Sequence, residues 1–308
     1  MKRPRHPRRA FSLLAVLWCL GIMSLVVGGL ILCVSMRLDE HVAANEEAQA
    51  RRLALSGLAV GLHPLIERGD PLLVQETKQE GYRVELTGEG GRLNINFLLQ
   101  NGRTDILDRF WALCGLKSAE AQALDDCLLD WIDTGDLKHL NGAKREDYAR
   151  LGFPDYPPGR PFQTIDEMAA VLGFSAVVKG KPDWRRFFTL WGDGRIDLKS
   201  APPEVLSAVG NVSLDSARAF VAEREKNEAD SLPAPWQSAE EAAVLLGMSR
   251  DDLQKTSPLL TLQSSLWRIE STGRVGKRKR VVSVVVQKNG GATSTSPGGI
   301  DYYLWREF

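Results

Sequence analysis

From Phe11 to Met36 the chain carries 26 consecutive residues without a charge. About 20 residues of helix cross the hydrocarbon core of a bilayer, so the run is long enough to span one. Lys2, Arg3, Arg5, Arg8 and Arg9 precede it with no acid among them, and Arg37, Asp39 and Glu40 follow. The positive-inside bias places residues 1–10 in the cytoplasm and everything after the span across the membrane. A cleaved secretory signal would have an apolar region of about 7–15 residues and a small-x-small site after it. The run here is about twice that length, which favours a retained, single-pass helix.

The helical pattern does not stop at the membrane. Residues 37–68 are rich in Ala, Leu, Glu and Arg, all good helix formers. Leu55, Leu58, Ala59 and Leu62 recur at helical spacing and predict one apolar face, and Pro64 predicts the end of the helix. A continuous helix of about 55 residues would be about 80 Å long. Such an element, half in lipid and half packed on a soluble domain, reads as a device for assembly.

Beyond it, Tyr82 to Leu86 alternates as a half-buried strand does, and Gly88 to Gly91 interrupt it. Leu266–Arg274, Val281–Gln287 and Asp301–Phe308 read as further strands. The run Lys277 to Arg280 falls at a turn between two of them, and a Gly/Ser/Thr-rich loop occupies 289–299. The stretch between, about 93–258, reads as helical. The expected fold is therefore α+β: a small antiparallel sheet interrupted by a long α-helical insertion. The insertion echoes itself. Gly91-Arg92-Leu93-Asn94 returns as Gly194-Arg195-Ile196-Asp197, and Pro161-Phe162-Gln163-Thr164 returns as Pro235-Trp236-Gln237-Ser238. Thr164 with Glu167, and Ser238 with Glu241, predict capping boxes, and Gly173 and Gly247 predict left-handed helix ends. Two related helical modules follow, near 93–174 and 196–258.

The junction Arg9-Ala10-Phe11, the opening Phe11-Ser12-Leu13-Leu14-Ala15-Val16-Leu17-Trp18 and the long helix resemble type II secretion pseudopilins. Among these the chain is most similar to the minor pseudopilin called general secretion pathway protein K. The resemblance implies a prepilin leader at 1–10, cut by a prepilin peptidase between Ala10 and Phe11, and methylation of the new N-terminus. Most pseudopilins have Gly where Ala10 stands and Glu where Ala15 stands; protein K members resemble this chain in lacking that Glu. The implied plan is a transmembrane helix at 11–36, a pseudopilin α/β core at 37–92 and 259–308, and an inserted helical domain at 93–258. It covers nearly the whole chain. The implied place is the inner membrane, with the soluble domain in the periplasm at the tip of a short filament. Implied partners are the minor pseudopilins of the I and J types, the major pseudopilin, the prepilin peptidase, the membrane and secreted substrate proteins.

The richest acidic cluster is Asp130-Trp131-Ile132-Asp133-Thr134-Gly135-Asp136, followed by Gly142-Ala143-Lys144 and Asp147-Tyr148. Ca²⁺ takes six to eight oxygens, and acids at this spacing supply several. The stretch resembles a calcium-binding motif of protein K, which makes Asp133 and Asp136 candidate calcium ligands. The family's glutamate, however, falls at Lys144, a cation. The alternative is a helix end followed by a solvated polar loop, with Trp131 in the core.

Ser200 to Val212 and Ala217 to Arg224 resemble a helix-hairpin-helix, which suggests a rival role as a membrane-anchored periplasmic receptor for DNA or protein. Val212 stands where a second glycine would bind phosphate, and Glu204, Asp215, Glu223, Glu225 and Glu228 make the surface acidic. Of 39 basic residues 34 lie after residue 10, against 39 acids, and a nucleic-acid partner calls for a basic surface. A packing or protein-docking role is the better reading of this motif. The four histidines, His6, His41, His63 and His139, are scattered, and no Gly-x-Ser-x-Gly or P-loop occurs, so the chain does not read as an enzyme. Cys19 and Cys33 read as small apolar residues of the anchor. Cys114 and Cys127 read as a disulfide or as two buried thiols.

Overall fold

The computed structural model describes residues 8–230, 232–288 and 300–308; side chains at 8–15, 31–35, 38, 39, 288 and 300 are outside the described set. Helix α1 runs unbroken over Arg8–Leu62, about 80 Å at 1.5 Å per residue. Its C-terminal part lies on a five-stranded antiparallel sheet in the order β1 (Val74–Glu76), β2 (Glu80–Gly88), β7 (Trp267–Val275), β8 (Arg278–Lys288) and β9 (Ile300–Glu307). Strands β2 and β7 meet although they are far apart in sequence, with Glu80 opposite Val275 and Gly88 opposite Trp267. Mixed helix and antiparallel sheet is thus the architecture.

The helix reaches the sheet through small residues. Ala50 and Ala54 are fully buried, Leu58 nearly so, and Gly57 packs on Tyr82 and Ser271. A Cβ on Gly273 of β7 would strike the backbone of Ala50 and Ala54, so glycine is required there by close approach and not by its backbone angles. Val84, Leu86, Ile269, Val282, Val284 and Val286 complete this core. Of the expected face, Leu58 is buried and Leu55 and Leu62 are half-buried against this core, while Ala59 is exposed. Close packing of helix on strand selects the small side chains, so the buried stripe follows Ala50, Ala54, Gly57 and Gly61. Arg51 clamps the helix to β9 through two hydrogen bonds to Glu307, 2.6 and 2.9 Å.

Between β2 and β7 lies the helical insertion. Its first part contains β3 (Leu93–Asn94), α2 (Ile95–Gln100), α3 (Thr104–Leu113), α4 (Ser118–Ile132), α5 (Arg145–Arg150), α6 (Ser175–Gly180) and β4 (Phe188–Thr189). The second part contains β5 (Ile196–Asp197), α7 (Pro203–Gly210), α8 (Leu214–Ala229), α9 (Ala239–Leu246), α10 (Arg250–Thr256) and β6 (Leu260–Thr261). Each part closes on a short parallel ladder, Leu93 with Phe188 and Ile196 with Leu260. The first part therefore runs on to Thr189, past the end at 174 expected from the echo alone. One continuous core, from Leu93 to Leu260, joins the two.

The echoed residues occupy equivalent places. Phe162 stacks on Trp131 of α4 (centroids 5.8 Å apart, 9°), and Trp236 stacks on Phe220 of α8 (4.9 Å, 20°). Ser238 accepts from the Glu241 amide, as a cap does. Glu241 and Glu167 reach back one residue further than expected, to the amides of Gln237 and Gln163. Thr164 makes no cap bond and its helix is a 3₁₀ turn at Ile165–Ala170, so only one of the two capping sequences forms the hydroxyl cap. Gly173 and Gly247 are both left-handed, at φ +88 and +92.

Candidate functional site

Three surfaces bear on function. The first is the free half of α1. Val16, Leu17, Trp18, Leu20, Ile22, Met23, Leu25, Val26, Val27 and Leu30 are each more than half exposed, up to 77% at Leu25. No part of the described chain covers them, which is the opposite of what burial of apolar surface in water favours. Among the described residues no helix is long and apolar enough to cross a membrane. The side chains described without a break in this half are those of 16–30, shorter than a span. The expected span 11–36 therefore rests on the sequence. Residues 1–7 of the leader and the loop 289–299 lie outside the described residues, and of Ala10, Phe11, Ala15 and Cys33 the backbone is described but not the side chain.

The second is the acidic loop after α4. Asp130 is fully buried; its carboxylate accepts from the His139 amide and contacts the His139 ring at 2.8 Å. A Cβ on Gly142 would overlap Asp130 Oδ2, so the carboxylate fills the space beneath that glycine. Asp126 accepts from the Asn141 amide at 2.9 Å. Asp147 caps α5 by accepting from the Lys144 amide and pairs with Lys138 and Arg150. These bonds hold its pKa below the usual carboxylate range, the Lys144 amide first. At the centre lies Lys144, whose side chain is 14% exposed. Its ammonium donates to Asp130 O at 3.2 Å, Asp133 O at 3.1 Å and Asp133 Oδ2 at 3.2 Å. Asp133 also accepts from the Gly135 backbone, and that bond, then Lys144, lowers its pKa.

The candidate calcium ligands are thus separated in role. Asp133 faces a lysine, and Asp136 stands exposed on the loop. Among the described residues no three His, Cys, Asp or Glu side chains are gathered as for a metal ion. Three oxygens around an ammonium do not fit an ion that takes six to eight. The residues present do not match the calcium expectation.

The third is the α7–α8 hairpin. Its turn is Asn211, left-handed at φ +50, and the Asn211 amide group donates to Asp252 at 3.3 Å. A carboxylate therefore sits where a phosphate would have to approach, and the DNA-receptor reading receives no support. Arg224, nearly buried on α8, donates to Leu198 O and Ala201 O, both at 2.9 Å, and ties the hairpin to the ladder. The sequence reading missed a sister hairpin in the first module. There α3 and α4 turn at Gly115, φ +88, and Arg109 of α3 donates to Ala208 O of α7 at 2.6 Å. The signal available was the shared order of helix, left-handed residue and helix in both modules. Cys114 and Cys127 are free, buried thiols, and burial first of all raises their pKa to about 12 and about 11.

The described chain is thus a long helix half docked on an antiparallel sheet, with its other half bare and a helical domain inserted between two strands. Residues 91–181 match the family model described as type II secretion system protein K. A chain in the crystal structure of the GspK-GspI-GspJ complex from the enterotoxigenic Escherichia coli type 2 secretion system shares the fold. The TM-score is 0.61 at 17% identity, covering 89% of this chain and 99% of that one. No curated protein matches. The family match covers residues 91–181 of the 308, and over the chain as a whole the likeness is one of fold.

Proposed function

We propose that this chain is a structural subunit at the tip of the periplasmic pseudopilus. The observation that carries the reading is the bare apolar half of α1, which continues a helix whose other half is docked on the sheet. Its exposed Leu, Val, Ile and Trp side chains suit lipid before assembly and the equivalent helices of other subunits afterwards. With the uncharged run at 11–36 and the basic residues before it, this supports an inner-membrane span with a cytoplasmic N-terminus and a periplasmic body.

The tip position follows from charge and bulk. A subunit with glutamate at the fifth mature position can neutralise the N-terminal ammonium of a neighbour. Ala15 offers no carboxylate, and an unpaired charge in lipid is costly, so no subunit is expected above this one. The insertion between β2 and β7 would also crowd a repeating lattice. The partners proposed are the minor pseudopilins of the I and J types, then the major pseudopilin, with secreted proteins as passengers. The likeness to a chain of a GspK-GspI-GspJ complex favours the first two.

Processing by a prepilin peptidase between Ala10 and Phe11 is the direct test. Intact-mass analysis of the membrane-extracted chain is expected to show a start at Phe11, with one added methyl group. Ala10→Asp is expected to leave the leader attached. A mature chain that still begins at Met1, or normal cutting of the Ala10→Asp chain, overturns the proposal.

A further inference from the structure

We propose that the Lys144 ammonium is the resident cation of the loop between α4 and α5, so that this loop folds without calcium. An ammonium has three protons to donate. Lys144 Nζ meets three acceptors at hydrogen-bond distance, Asp130 O, Asp133 O and Asp133 Oδ2, with Asp130 Oδ1 at 3.8 Å as a further negative neighbour. Donors and acceptors are therefore matched in number. Two of the acceptors are backbone carbonyls at the end of α4, which lack partners within the helix. The cation thus closes the helix end and balances the fully buried Asp130 and the half-exposed Asp133 together.

The rest of the loop is built around this placement. The amide of Lys144 is fixed by Asp147 at 3.1 Å, which sets the start of the side chain. Its stem is mostly covered, so the charge is held in one position and does not sweep through solvent. Asp130 is held in turn by His139 and covered by Gly142. A divalent ion at this point would meet a fixed positive charge and too few free oxygens. A carboxylate at position 144 would reverse both conditions, since it removes the cation and adds oxygens beside Asp130 and Asp133.

The test uses the full-length chain in detergent, with thermal unfolding followed in EDTA and in millimolar Ca²⁺. Ligands that bind only the folded state raise the melting temperature. The wild-type chain is expected to melt at the same temperature in both. Lys144→Met is expected to melt roughly 5 °C lower in both, because the two aspartates lose their counter-charge. Lys144→Glu is expected to melt lower in EDTA and to recover in Ca²⁺. A wild-type melting temperature that rises with Ca²⁺ overturns the proposal without recourse to any variant. So does a Lys144→Glu chain as stable as wild type in EDTA. Neither outcome depends on where the subunit sits in the pseudopilus.

Discussion

Removal of the Glu89 carboxylate is expected to cost the fold about 3–5 kcal/mol, the range for breaking one side of a buried ion pair. Glu89 lies at the junction where the chain leaves the sheet for the helical insertion. Its side chain is 1% exposed and accepts two hydrogen bonds from Arg268 of β7, 2.9 and 2.7 Å. Thr189 of β4 donates to the same carboxylate at 2.5 Å, and Arg92 lies 4.0 Å away. One carboxylate thus joins the sheet, the turn and the first parallel ladder. Glu89→Ala strands a guanidinium that is only 14% exposed and leaves the Thr189 hydroxyl without its acceptor. Glu89→Leu combined with Arg268→Met removes both charges, and that double variant is expected to fall within about 2 kcal/mol of wild type. Urea unfolding followed by tryptophan fluorescence measures Glu89→Ala, the double variant and its two component single variants against wild type. Burial pushes the Glu89 pKa up, but the bonds and charge of Arg268, with Arg92 and Thr189, more than offset it, so the net shift is downward. Its contribution is then present above the ordinary carboxylate pKa and is lost as pH falls through the lowered one. A Glu89→Ala cost below about 1 kcal/mol, or a double variant as unstable as the sum of the singles, would refute the reasoning.

Asp125 behaves in the opposite sense. Burial, with Asp108 and Asp126 nearby, raises its pKa to about 8 despite the hydrogen bond from Trp111 Nε1. Between its unfolded pKa and about 8 the folded state binds the extra proton, so stability falls as pH rises through that window. Asp125→Asn is expected to remove this slope and to gain up to about 5 kcal/mol at pH 8, measured by pH-dependent thermal unfolding. Gly273→Ala is expected to lower stability by about 1–3 kcal/mol, because its new methyl overlaps the α1 backbone at Ala50 and Ala54. Denaturant titration measures the loss, and an unchanged midpoint would show that α1 does not dock on β7 as described. Cys114 and Cys127 are expected to resist a thiol reagent in the native chain and to react fully after unfolding, since both are buried with raised pKa. A mass consistent with a disulfide would contradict this.

Much of the plan was readable because it is written in local periodicity. Alternation around Tyr82–Leu86 and in the last third of the chain corresponds to strands β2, β7, β8 and β9. The echo Phe162/Trp236 marked two residues that stack in equivalent ways. Elsewhere packing overrules local pattern. The centre of the docked face of α1 is Ala50, Ala54, Gly57 and Gly61, with Leu58 beside them and Leu55 and Leu62 at its edge, because a helix can approach a strand closely only through small side chains. Thr164 carries a capping sequence yet begins a 3₁₀ turn, and the α3–α4 hairpin escaped notice for want of a sequence echo as plain as that at Phe162.

By itself the sequence determined that one end of this chain is apolar and uncharged for 26 residues, that basic residues precede it, and that a helical insertion divides a sheet. Hydrophobicity, charge and period are properties of neighbouring residues, and the local order of the chain carries them. Only the tertiary structure decided what the lone charges do. Glu89 meets Arg268 across 179 positions, and Lys144 turns from a misplaced base into the cation at the end of α4. Such pairings depend on where the folded chain brings distant backbone oxygens and carboxylates together, and no local pattern records that distance.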